Sequence, residues 1–149
     1  GVGQAPDFWG NSQFNDIYER NGKYEKFTGY ATDVWFNESI AFIEKNQKNP
    51  FFLYLATNAP HSPYIVPEKW ANPYRKKVTW KHGAEFYGMI ANLDHNIGLL
   101  RKKLNELSIA ENTIFIFTTD NGTAKGNGGQ GGDVSRIQRW HARAKINDF

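Results

Sequence analysis

The sequence predicts an α/β fold: a mostly parallel sheet flanked by helices. Two short apolar runs, Phe51 to Ala56 and Thr113 to Thr118, are bounded by turn residues and rich in aromatic and β-branched side chains. Each is too short for a buried helix, so each is expected to be a strand covered on both faces. Between them lies the clearest helical period in the chain. Two such strands separated by a helix require a crossover connection, which makes them parallel. In sheets of that kind ligands bind just beyond the carboxyl ends of the strands. The segments Thr57 to Pro63 and Thr119 to Thr123 both begin at that edge.

Residues 1–32 are polar and rich in Gly and Asn, with Phe8, Trp9, Phe14, Tyr18, Tyr24, Phe27 and Tyr30 scattered among them. No helical or strand period runs through this segment, and the aromatics predict an ordered covering loop. Val34, Phe36, Ile40 and Ile43 mark a helix over 33–46, with Asp33 as its expected N-cap. Pro50 ends the turn that follows. Residues 57–82 carry four prolines and read as a long irregular loop of the kind that is commonly functional. From 84 to 107, Phe86, Met89, Ile90, Leu93, Ile97, Leu100, Leu104 and Leu107 recur at spacings of three and four, as one face of a helix requires.

Composition narrows the function classes. A chain of 149 residues with 40% hydrophobic and 15% aromatic content can bury a core. Its longest apolar run, Phe51 to Ala56, is far short of the roughly 20 residues that span a bilayer, so no membrane partner is expected. Residues 123–149 hold five basic and two acidic side chains, which accounts for the whole net charge of +3. The first 122 residues balance, with thirteen of each sign, so no nucleic-acid partner is expected either. There is no cysteine, which removes thiol nucleophiles and zinc–thiolate sites. The start, Gly1-Val2-Gly3-Gln4-Ala5-Pro6, has neither an initiator Met nor a signal-peptide pattern, and reads as the interior of a longer sequence.

Two places could carry chemistry. Asp120-Asn121-Gly122, at a strand end, offers a carboxylate and an amide carbonyl, hard oxygen ligands that suit Ca²⁺ or Mg²⁺. Asn-Gly is also a common turn, so the pair alone leaves a plain loop open. His61 lies between Pro60 and Pro63, whose rings restrict its backbone, and a histidine so held can act as a general acid or an anion ligand. An incidental surface histidine is the competing reading. His95 fits the edge of the helix stripe better than a ligand position, and His82 and His141 have no partner legible in the sequence. The glycine-rich Gly122 to Gly132 lacks the Lys-Ser/Thr of a phosphate loop.

Taken together, Pro50-Phe-Phe-Leu-Tyr-Leu-Ala-Thr-Asn-Ala-Pro-His61-Ser-Pro, Phe86-Tyr-Gly-Met-Ile-Ala-Asn-Leu-Asp94 and Asn112-Thr-Ile-Phe-Ile-Phe-Thr-Thr-Asp120-Asn-Gly122 resemble the sulfatase family. The resemblance is to its arylsulfatase type, within the alkaline-phosphatase-like superfamily, and covers residues 1–123. It implies a partial alkaline-phosphatase-like fold, with residues 124–149 a divergent glycine-rich and basic tail. It implies that Asp120 and Asn121 ligate Ca²⁺, or Mg²⁺, and that His61 contacts the sulfate ester and helps protonate the leaving oxygen. It implies metal-assisted hydrolysis of an aryl sulfate or sulfated glycan in a secreted or periplasmic parent.

The sequence departs from the family pattern at both ends. No Cys/Ser-x-Pro-x-Arg motif, the precursor of the attacking formylglycine, occurs in it. Beyond Gly122, where the family places a sulfate-contacting lysine, Lys125 is the candidate, with Lys145 the other. The expectation is therefore a sulfuric ester hydrolase piece that is inactive alone. A phosphodiesterase or phosphatase of the same superfamily, and a non-catalytic interaction module, are the alternatives.

Overall fold

A computed structural model describes residues 10–119. The chain enters through a hairpin, β1 (Ile17–Arg20) and β2 (Lys23–Lys26), paired antiparallel with Ile17 opposite Lys26 and Arg20 opposite Lys23. Asn21 and Gly22 form its turn with φ of 53° and 78°, the doubly left-handed conformation that matches the twist of a two-residue hairpin. Within residues 10–32 this hairpin replaces the ordered covering loop expected over residues 1–32, of which residues 1–9 lie outside the described residues. Asp16 organises the approach to it: its carboxylate accepts the Ser12 and Gln13 backbone N–H groups at 2.8 and 2.7 Å and the Tyr18 hydroxyl at 3.1 Å.

Two helices form the body. Helix α1 (Ala31–Asn46) packs along α3 (Gly83–Glu106), with Phe36, Ile43, Leu100 and Leu104 at the centre of their contact. Both were legible from periodicity. Two details differ. Tyr30, not Asp33, is the N-cap residue of α1, and it makes no side-chain cap bond. Asp33 instead turns inward and accepts the side-chain amides of Asn92 and Asn96 from α3, at 2.7 and 2.8 Å. The buried face of α3 thus runs through Met89, Asn92, Asn96, Leu100 and Leu104, while Ile90 is exposed. A carboxylate on the facing helix accepts from two amide N–H groups that hydrophobic patterning alone would have placed outside.

The long connection holds a short helix, α2 (Glu68–Ala71), and a 3₁₀ turn, Asn72–Tyr74. Helix α2 lies against α3 where Gly88 leaves room: a Cβ there would stand 2.9 Å from the Ala71 backbone nitrogen.

The mostly parallel sheet is not present among the described residues, whose one sheet is the β1–β2 hairpin. Residues 51–56 and 113–118 are extended but join no ladder. They keep the period-2 alternation of strands. Phe51, Leu53, Leu55 and Phe115 face the α1–α3 core. Phe52, Tyr54, Ile114 and Ile116 point the other way and are 79–86% exposed. One face of the expected layer is therefore covered by helices and the other is bare, which corrects the expectation of burial on both faces.

Candidate functional site

His61 sits at the surface directly beyond the extended segment 51–56, as the sequence placed it. Its backbone N–H donates to Asn58 O at 2.7 Å, closing a tight turn, and the peptide bonds before Pro60 and Pro63 are cis. Its ring Nδ1 lies 2.7 Å from Ser62 O. A carbonyl oxygen only accepts, so Nδ1 carries the hydrogen in that contact and Nε2 is the nitrogen left for a ligand. Such a nitrogen can receive a proton, or when protonated donate one to a departing oxygen.

The loop is held from the hairpin side. Gln13 Nε2 donates to Pro63 O at 3.3 Å, and the Tyr30 hydroxyl donates to Ile65 O at 2.9 Å. Both side chains are 2% exposed. Burial pushes the Tyr30 phenol above its ordinary range, with the charge of Asp33 adding to the effect, so the hydroxyl remains a donor. Tyr30 is itself fixed by a ring contact with Phe14 at 5.3 Å and by a backbone bridge to the same residue. Neither Gln13 nor Tyr30 was recognised as a support from the sequence. Contacts spanning fifty and thirty-five positions leave no local pattern.

Asp120, Asn121 and Lys125, the expected metal ligands and lysine, lie outside the described residues, as do Lys145 and His141. Among the described residues no group of three or more His, Cys, Asp or Glu side chains could hold a metal ion. An aspartate and an asparagine suit a hard cation by chemistry, but a Ca²⁺ site takes six to eight oxygens. The described residues do not complete such a set. His95 is exposed and packs on Trp70 at 5.1 Å, consistent with a role at the helix edge. His82 proves to have partners: Tyr64 and Trp80 rings lie 5.8 and 5.9 Å away. No helix among the described residues is long and apolar enough to cross a membrane.

A family model described as Sulfatase matches residues 2–143, nearly the whole chain and all of the site just described. The chain belongs to the sulfatase family. Human N-acetylgalactosamine-6-sulfatase is 30% identical over 109 residues, covering 68% of this chain and 20% of that protein. The N-acetylgalactosamine-6-O-sulfatase of Bacteroides thetaiotaomicron is 33% identical over 120 residues, 74% of this chain and 22% of its own length. A crystal structure of Ps i-CgsB in complex with k-i-k-neocarrahexaose superposes with a TM-score of 0.69 at 36% identity, over 74% of this chain and 25% of that one. The sulfatase chain therefore spans about a fifth of the length of these curated relatives. At that identity and TM-score the likeness extends to the partial alkaline-phosphatase-like fold.

Proposed function

We propose that this chain is the central part, residues 1–123, of a metal-assisted hydrolase of sulfate esters on glycans. His61 contacts the ester and protonates the leaving oxygen. The observation that carries the proposal is His61 itself: a ring with Nε2 free, on a turn held by two buried donors, inside a stretch matched to the sulfatase family. A fixed donor of this kind lowers the barrier by delivering its proton where negative charge grows on the departing oxygen. A sulfated glycan is favoured over a simple aryl sulfate because relatives are named for N-acetylgalactosamine sulfate, and a structural neighbour was solved with a neocarrahexaose.

Asp120 and Asn121 supply two oxygen ligands for Ca²⁺, with Mg²⁺ the second choice, and Lys125 is the candidate anion contact. When bound, the cation polarises the sulfate group. With no Cys or Ser in the Cys/Ser-x-Pro-x-Arg setting, the attacking group is absent from these residues, so the chain binds without turning over. Residues 124–149 are the divergent glycine-rich and basic part of the sequence, and a glycan substrate is consistent with a secreted or periplasmic parent.

Galactose 6-sulfate titrated into the purified chain with Ca²⁺ present tests this reading. The His61 ring resonances should shift in NMR, and His61→Ala should lose the binding. Asp120→Ala should lose Ca²⁺ heat in calorimetry. An unperturbed His61 at saturating sulfated sugar would sink the proposed role.

A further inference from the structure

Three residues past His61 begins an assembly that the reaction does not use. Tyr64, Trp80, His82 and Phe86 form one aromatic cluster. Tyr64 meets Trp80 at 5.1 Å and Phe86 at 5.9 Å, both edge-on, and lies 5.8 Å from His82 at a tilt of 32°. Edge-to-face contacts fix ring orientation. The base beneath is stiff as well: Gly83 N–H donates to Trp80 O at 2.9 Å, Phe86 N–H to His82 O at 3.0 Å, and a Cβ on Gly83 would meet Val78 at 2.9 Å. Yet Trp80 and Tyr64 remain partly open to solvent, and His82 is exposed. Three extended residues reach about 11 Å at most, so Tyr64 stands no further than that from His61 along the backbone.

Charge marks what this platform faces. Residues 64–85 carry Lys69, Arg75, Lys76, Lys77 and Lys81 against only Glu68 and Glu85. Both carboxylates are taken by Arg75, at 2.5 and 2.9 Å. Lys76 and Lys81, both exposed, form no salt bridge among the described residues. Rigid ring faces suit the apolar C–H face of a pyranose, and unpaired ammonium groups suit sulfate. Neither feature alone would choose between ligands; side by side they do.

We infer that Tyr64, Trp80 and His82, with Lys81 between the last two, form a subsite that binds a neighbouring sugar unit of a sulfated polysaccharide whose ester lies at His61. This rests on the proposed function of His61 but makes a separate demand, that affinity grow with chain length. A nucleic-acid strand also joins rings to negative charge. The balanced charge of residues 1–122 and the proximity to His61 favour the glycan.

The test is calorimetry of the whole chain with a sulfated galactan tetrasaccharide, its desulfated counterpart, galactose 6-sulfate and an oligonucleotide of equal charge. The sulfated tetrasaccharide should bind at least about tenfold more tightly than the monosaccharide, the scale of one good aromatic anchor. Trp80→Ala and Lys81→Ala should each remove most of that advantage while leaving the monosaccharide affinity and the far-UV spectrum unchanged. Trp80→Phe, which keeps a ring, should restore part of it. Equal affinity for both sugars, tetrasaccharide binding indifferent to Trp80→Ala and Lys81→Ala, or tighter binding of the oligonucleotide would each overturn the subsite. Loss of monosaccharide binding in His61→Ala alongside an indifferent Trp80→Ala would overturn the subsite and leave the proposed role of His61 standing.

Discussion

Asp33 shows how a single carboxylate can be read correctly as polar and still be given the wrong task. Its place at the start of an apolar period suggests a cap, but Asn92 and Asn96 on the facing helix compete for the same oxygen and win. Both asparagines are buried, and while Asn96 keeps its bond to Asn92 O at 2.9 Å, removing Asp33 leaves the Asn92 amide donor without a partner or water. Asp33→Ala should therefore destabilise the fold by about 1–3 kcal/mol, as urea denaturation would read it. A change under a few tenths would mean that the amides find other partners. The Glu68–Arg75–Glu85 triad carries a pH dependence of known sign. Its Arg75 hydrogen bond holds the Glu68 carboxyl below the usual 4.5. A depressed carboxylate contributes stability above the unfolded value and loses it as pH falls from there through the folded one. Because Glu68 is exposed the effect is small, and it should vanish in Arg75→Ala when melting is compared just above and well below pH 4.5.

At the scale of elements, Gly88 and the extended segments matter most. Helix α2 approaches α3 so closely that a methyl group on Gly88 would press on the Trp70 carbonyl carbon and Ala71 backbone, at 2.9–3.1 Å. Backbone cannot swing aside as a side chain can, so Gly88→Ala should cost about 1–3 kcal/mol despite the better helix propensity of alanine. A stabilised variant in thermal melts would contradict this contact. Helices α1 and α3 were legible because leucine, isoleucine and phenylalanine repeat at helical spacing over many turns. The hairpin was missed: its Asn21-Gly22 turn is a hairpin signal, but scattered aromatics obscured the period of the two short strands on either side. The strands expected at 51–56 and 113–118 were read from composition, and composition reports what a segment can bury rather than whether a neighbour is there to pair with it. His61 stood out because two prolines flank it. Gln13 and Tyr30, which hold its loop, act across distances at which sequence carries no signal.

For the whole molecule, the bare outer face of the extended layer is the dominant feature. Phe52, Tyr54, Ile114, Ile116 and Phe117 put large apolar side chains into solvent on segments whose backbone groups join no ladder. Such a face invites self-association. The chain should elute from size exclusion with a mass that rises with concentration, and Phe52→Lys with Ile116→Lys should suppress the rise. A concentration-independent monomer would show that the face is covered in solution.

On the proposed function, this sulfatase chain keeps the proton donor and a metal-binding pair but not the attacking group. Hydrolysis of an aryl sulfate by the purified 149-residue chain with Ca²⁺ tests it most directly. The rate should be no greater than that of buffer alone. Turnover that disappears in both His61→Ala and Asp120→Ala would contradict it, for it would place a working nucleophile within these residues.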